Sequence, residues 1–213
     1  MSKDYGQYCG LARALDVVGD RWNLLIVRQL LIGPARYGEL RNGLPGIATN
    51  LLTDRLRDLE AAGVIERQLS DDSSAIAYGL TPWGADLREP INGLVRWSTP
   101  LMIRGPEGDT FQPSWLMVAL PALFAGRVPT DPSVSLGIAV DDVTVQLRTT
   151  ESGITVERTD GRPLDAVLTA EAPLVLGLAA GALRLDDVTS LVDISGDIAA
   201  ARAFFEAPRR TAP

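Results

Sequence analysis

The chain has 213 residues, 46% of them apolar, and carries 20 Lys and Arg against 27 Asp and Glu for a formal charge of −7. That apolar content suits two small packed domains, while one cysteine and no histidine exclude an intramolecular disulfide, a multi-cysteine zinc site and Ser-His-Asp or Cys-His catalysis. No apolar run approaches the roughly 18 residues of a membrane helix, and Lys3, Asp4, Arg13 and Asp16 break any signal-peptide layout, so the expectation is a soluble cytoplasmic chain.

Cys9 falls in the first turn of an opening helix. Asp20, a favoured N-cap residue, precedes apolar residues at Trp22, Leu25, Ile26, Leu30 and Leu31, which predicts a core helix stopping at Gly33-Pro34, with Trp22 as an anchor. A short amphipathic turn follows from Tyr37 to Leu44, and Leu44-Pro45-Gly46 breaks it. Thr49 is read as the cap of a third helix, in which Leu52, Leu56 and Leu59 fall within about 60° of one another at roughly 100° per residue. Asn50, Thr53, Asp54 and Arg57 are left on or near the opposite face.

Ala62-Gly63 ends that helix, glycine being the natural terminator. Residues 64–69 and 75–80 have strand character around turn chemistry at 70–74, a hairpin that forms a wing. Thr81-Pro82 opens a helix over 81–97 with a cap and a proline in its first turn. Leu87, Ile91, Leu94, Val95 and Trp97 give it an apolar side for packing on a second copy, and Pro90 predicts a kink.

Cys9, Gly19-Asp20-Arg21-Trp22, the Leu-Pro-Gly at 44–46, residues 51–67 ending Leu-Glu-x-x-Gly-Val-Ile-Glu-Arg, and Tyr78-x-Leu-Thr-x-x-Gly84 resemble the HxlR-type winged-helix transcriptional regulators, over about residues 5–98. The resemblance implies a homodimer on a partly palindromic double-stranded operator, with the third helix in the major groove. Asn50, Thr53 and Arg57 are then expected to reach bases or phosphates, with Thr49 at the helix start and Arg36 and Arg55 in support. The alternative is a solvated face on which Arg55 and Arg57 pair with Asp54, Asp58 and Glu60. The wing departs from the family: Asp71-Asp72-Ser73-Ser74 would repel phosphate. Residues 1–98 hold 11 basic and 12 acidic side chains, and residues 99–213 hold 9 and 15, so DNA binding must rest on clustering of Arg36, Arg41, Arg55 and Arg57 rather than on net charge.

Residues 99–112 read as a linker. Beyond it, Pro113-Ser114 opens an apolar helix through Phe124, and strand-like runs follow at 134–140, 143–148 and 154–158. A strand at 166–169 leads to a helix carrying Pro173, Leu174, Leu176, Leu178 and Leu183. Gly177 and Gly181 are read there as points of close packing on a sheet. A strand over 191–197 and a helix over 198–205 end the domain. Asp141-Asp142 and Asp186-Asp187 are carboxylate pairs at expected turns, and no phosphate-binding glycine loop or nucleophile elbow is present, so the chain is read as a non-enzyme with no cofactor or metal.

Thr169, Gly181, Leu185, Gly196-Asp197 and Phe204-Phe205 resemble, in their order along the chain, the sterol carrier protein type 2 domain. That resemblance implies a mixed sheet with helices over an apolar cavity, for which Trp115, Leu116, Leu120, Phe124, Leu174, Leu178 and Phe204 are the candidate lining. A filled core that only supports a dimer is the alternative. The fold expected is α+β: a winged helix-turn-helix domain (1–98), a linker (99–112) and a mixed sheet-and-helix domain (113–213). The function expected is a homodimeric DNA-binding regulator responding to an apolar small molecule, away from membranes. Two alternatives stand beside it: a thiol-based redox regulator using Cys9, whose pKa a helix dipole would lower, and a lipid carrier that bears a winged helix.

Overall fold

Residues 4–69, 75–129, 133–151 and 153–208 are described by the computed structural model. They fall into two units, Met1–Ile91 and Asn92–Pro213. The architecture is mixed α and β, and among the described residues no helix is long and apolar enough to cross a membrane.

The first unit begins with α1 (Gly10–Val18), whose N-cap residue is Cys9. The next helix, α2 (Asn23–Ile32), has Trp22 as its N-cap residue and starts two residues later than a cap at Asp20 predicts. Residues 19–22 form a turn closed by the Asn23 N–H donating to the Asp20 carbonyl at 3.0 Å. The buried Asn23 side chain donates to the Val17 carbonyl at 2.9 Å, which ties the end of α1 to the start of α2. Ile26, Val27, Leu30 and Leu31 of α2 are buried, whereas Leu25 is exposed and Trp22 only half-buried, so the inward stripe runs through Val27 rather than Leu25.

A short α3 (Tyr37–Asn42) and a longer α4 (Thr49–Ala61) follow. The N-cap of α4 is Ala48, in an extended conformation, and Thr49 is the first helical residue rather than the cap. Leu52, Leu56 and Leu59 are buried as their spacing predicts. At the far end Gly63 adopts φ +76. Its N–H donates to the Glu60 carbonyl while Val64 donates to that of Leu59, a pair of bonds that closes the last turn and needs a left-handed residue.

Strands β1 (Ile65–Leu69) and β2 (Ile76–Leu80) pair antiparallel, from Ile65 opposite Leu80 to Leu69 opposite Ile76. Ala35, between α2 and α3, exchanges both backbone hydrogen bonds with Tyr78 and fixes the wing to the helix-turn-helix. The turn at 70–74, with Asp71 and Asp72, lies outside the described residues. Thr81 caps the four-residue α5 (Pro82–Ala85): its hydroxyl accepts from Gly84 N–H at 3.0 Å and donates to the Gly63 carbonyl at 2.7 Å. A side chain at Gly84 would meet the Val64 carbonyl oxygen at 2.0 Å, so only glycine fits there.

The helix read over 81–97 is two helices. After a turn at 86–87 comes α6 (Arg88–Ser98), and Pro90 sits in its first turn instead of kinking a longer one. Proline is tolerated there because a first-turn N–H has no partner within the helix. Leu94 and Trp97 of α6 are exposed, Trp97 at 75%.

In the second unit a short 3-10 turn at Pro113–Trp115 leads into α7 (Leu116–Phe124). The sheet contains β3 (Ser135–Val140), β4 (Val143–Thr150), β5 (Gly153–Arg158), β6 (Ala166–Thr169) and β7 (Asp193–Gly196), in the order β5-β4-β3-β6-β7. Only β3 and β6 run parallel; the other neighbours are antiparallel. Leu136, Ile138, Leu147 and Leu168 share one face of the sheet by alternation and register. That face is covered by α7, α8 (Ala172–Ala180) and α9 (Ile198–Phe205).

Helix α8 ends at Gly181, in a left-handed conformation with φ +75, so Leu183 lies beyond it. A side chain on Gly177 would meet Leu183 at 2.6 Å, and the close packing is therefore against Leu183 rather than the sheet. Asp141 and Asp142 form the exposed two-residue turn between β3 and β4, and Asp186 pairs with Arg202.

Candidate nucleic-acid interface

The two helices of the helix-turn-helix are fixed by polar bonds at their junction. Arg28 of α2 donates to the Gly43 carbonyl at the end of α3, 3.3 Å away; its burial lowers the guanidinium pKa to about 10, so it stays charged at neutral pH. Tyr37 at the start of α3 donates its hydroxyl to the Thr49 carbonyl at 2.8 Å and stands 3.4 Å from the Thr53 hydroxyl. Thr53 also donates back to the Thr49 carbonyl at 3.0 Å. Tyr37 is half-buried and acts as a bolt between α3 and α4.

With Leu52, Leu56 and Leu59 turned inward, Asn50, Asp54 and Arg57 lie exposed along the other side of α4, beside an exposed Thr49 and a half-buried Thr53. The charges of α4 separate cleanly. Arg55 is held between Asp20 and Asp58, the latter at 3.1 Å, and Glu60 pairs with Arg67 at 3.0 Å. Asp54 and Arg57 carry no ion pair among the described residues. Arg55 thus follows the solvated-face reading, while Arg57 does not pair with Asp54, Asp58 or Glu60. Arg41 on α3 is exposed and equally without an ion pair or side-chain hydrogen bond among the described residues. It was part of the expected arginine cluster. Arg36 is half-buried before α3, where its backbone N–H donates to Glu39 at 2.6 Å.

The wing adds little positive charge. Arg67 of β1 is spent on Glu60 and on the ring of Tyr78, 5.8 Å from its centroid. Leu69 and Ile76 end the described strands as an exposed apolar pair.

The seven apolar residues singled out in the second unit divide. Leu116, Leu120, Phe124, Leu178 and Phe204 are buried in one cluster with the sheet, and Trp115 and Leu174 are half-buried. Cys9 is exposed, with the backbone N–H groups of Ala12 and Leu11 close enough to favour the thiolate and lower its pKa.

Comparison with known proteins agrees with this geometry. The profile described as HxlR-like helix-turn-helix matches residues 17–104. The HTH-type transcriptional regulator YvaP of Bacillus subtilis is 35% identical over 88 residues, 41% of this chain and 82% of that protein. YodB, an HTH-type transcriptional regulator of the same bacterium, is 33% identical over 86 residues, 40% of this chain and 77% of the relative. An HTH-type regulator of Mycobacterium tuberculosis is 40% identical over 99 residues, which span 46% of this chain and 61%, under two thirds, of that protein. On its junction of α3 and α4, its hairpin wing and these identities, the chain belongs to the HxlR-like helix-turn-helix family.

Proposed function

We propose that the protein is a homodimeric transcriptional regulator that reads operator DNA with α4 in the major groove. The observation that carries this reading is the exposed stripe of Asn50, Asp54 and Arg57 on a helix whose other charges are all paired. Asn50 and Arg57 are the base-reading side chains, with Thr49 and Thr53 at the groove edge. Arg36 and Arg55 support them from the backbone side, Arg55 after giving up Asp20 and Asp58. Dimerisation is supported by apolar surface left open in the first unit. Tyr8, Leu11 and Trp83 are exposed, and a cleft of about 680 Å3 runs past Val17, Val18 and Leu87.

The second unit is proposed as the effector domain for an apolar small molecule. Its mixed sheet with helices over one face is the layout that a sterol-carrier-like domain calls for. Because five of the candidate lining residues pack against one another, an effector enters only if α7, α8 or α9 moves off the sheet. Sedimentation of the full chain with operator DNA, repeated with a hydrophobic fluorescent probe, tests both parts. The expected result is two chains per operator, on half-sites about 34 Å or a multiple of it apart, and a probe that binds and changes DNA affinity. One chain per site would overturn the dimer, and no probe binding would leave the second unit a packing domain.

A second reading, thiol-based sensing through Cys9, is favoured by its exposure and its lowered pKa. The rate of iodoacetamide alkylation should rise with pH through a midpoint lower than that of an unperturbed cysteine thiol. With one cysteine in the chain, an oxidised form that alters DNA binding must be an intermolecular or mixed disulfide. Unchanged DNA binding after thiol oxidation would exclude the sensor.

A further inference from the structure

We infer that Asp54 is a specificity residue that selects a cytosine in the operator, an inference that rests on α4 being the DNA-reading helix. Asp54 is the sixth residue of α4. It lies past the first turn, so it neither caps the helix nor meets the partial positive charge of the N-terminus. It is exposed and carries no ion pair among the described residues, although Arg55 is adjacent and Arg57 stands three residues on. Arg55 turns to Asp20 and Asp58 instead.

Asp54 is therefore an uncompensated negative charge in the middle of the face that must approach a polyanion. Such a charge opposes binding to every sequence unless a donor meets it. An ionised carboxylate only accepts hydrogen bonds. In the major groove the base-edge donors are the cytosine N4 and adenine N6 amino groups, and adenine places its N7 acceptor beside N6, where it repels a carboxylate. Cytosine alone offers a donor without that neighbour. Asp54 thus raises selectivity in two ways: it accepts from one base and penalises the rest, including non-specific duplex.

The test is selection from a pool of randomised duplex DNA by the full wild-type chain and by Asp54→Ala and Asp54→Asn, followed by affinity measurements with single-base changes in the enriched site. Far-UV circular dichroism confirms that the exposed substitutions leave the fold intact. Wild type is expected to hold one cytosine per half-site by roughly 5- to 150-fold over other bases. Both variants should lose that preference at that position alone while binding unrelated duplex as tightly or more tightly. If both keep every base preference of wild type, Asp54 selects nothing and the inference fails. If wild type enriches no sequence while both variants enrich one, Asp54 only repels DNA, and this inference fails with the DNA-binding reading intact. If none of the three binds any duplex, the DNA-binding reading itself fails.

Discussion

Arg57→Ala is expected to weaken operator binding by about 1–3 kcal/mol, roughly 5- to 150-fold, if its guanidinium pairs with a base edge. Arg57 is exposed on α4 with no ion pair among the described residues to break before it reaches DNA, so its charge is available to the complex. Arg55 gives the contrast. It must leave Asp20 and Asp58 to touch DNA, so Arg55→Ala should cost less affinity than Arg57→Ala. Should Arg57 touch phosphate rather than a base, its loss would weaken all duplexes alike and lower the salt slope by about one. Unchanged binding by a folded Asn50→Ala, Arg57→Ala double variant would remove α4 from the interface.

Arg127→Met should destabilise the second unit by about 3 kcal/mol, the loss expected when two or three buried acceptors go unsatisfied. Arg127 is only 4% exposed. Its guanidinium donates to the Phe205 carbonyl at 2.6 Å, to Phe204 at 3.3 Å and to Ala179 at 2.7 Å, and it lies 5.2 Å from the centroid of the Phe124 ring. One cation thus serves the carbonyl ends of α8 and α9, where the helix dipoles are negative, and packs on the last residue of α7. Methionine keeps most of the stem but none of the donors. In urea the midpoint should fall by about 1–2 M at an ordinary slope, read by far-UV circular dichroism. A midpoint equal to wild type would show that water replaces the guanidinium at no cost.

Local signals in the sequence placed most of the elements. The Leu52, Leu56 and Leu59 stripe, the Gly63 terminator, the Thr81 cap and the strand-like runs between 134 and 158 each depend on neighbours a few residues away. The misses come from contacts that spacing does not encode. Asp20 had the chemistry of a cap, but its carboxylate goes to Arg55, 35 positions along the chain, and the helix starts at Asn23. Pro90 read as a kink because the break at 86–87 carries no glycine or proline of its own. Leu183 fitted the helical period of α8, yet Gly181 had already turned the chain and folded Leu183 back on Gly177.

At the candidate interface, residue type and face were legible while the pairing state was not. The α4 stripe followed from its period, and the separation of Arg55 from Arg57 followed only from the fold. Arg127 offered no signal, since a buried arginine bonded to helix ends has no motif.

The most direct measurement is the affinity of the full chain for duplex from upstream of its own coding sequence, set against unrelated duplex of equal length, across a salt series. The account predicts at least about a 1,000-fold preference for the operator and a log affinity that falls linearly with log salt, by about 0.9 per phosphate neutralised. Equal affinity for the two duplexes, or no binding to either at low salt, would contradict it.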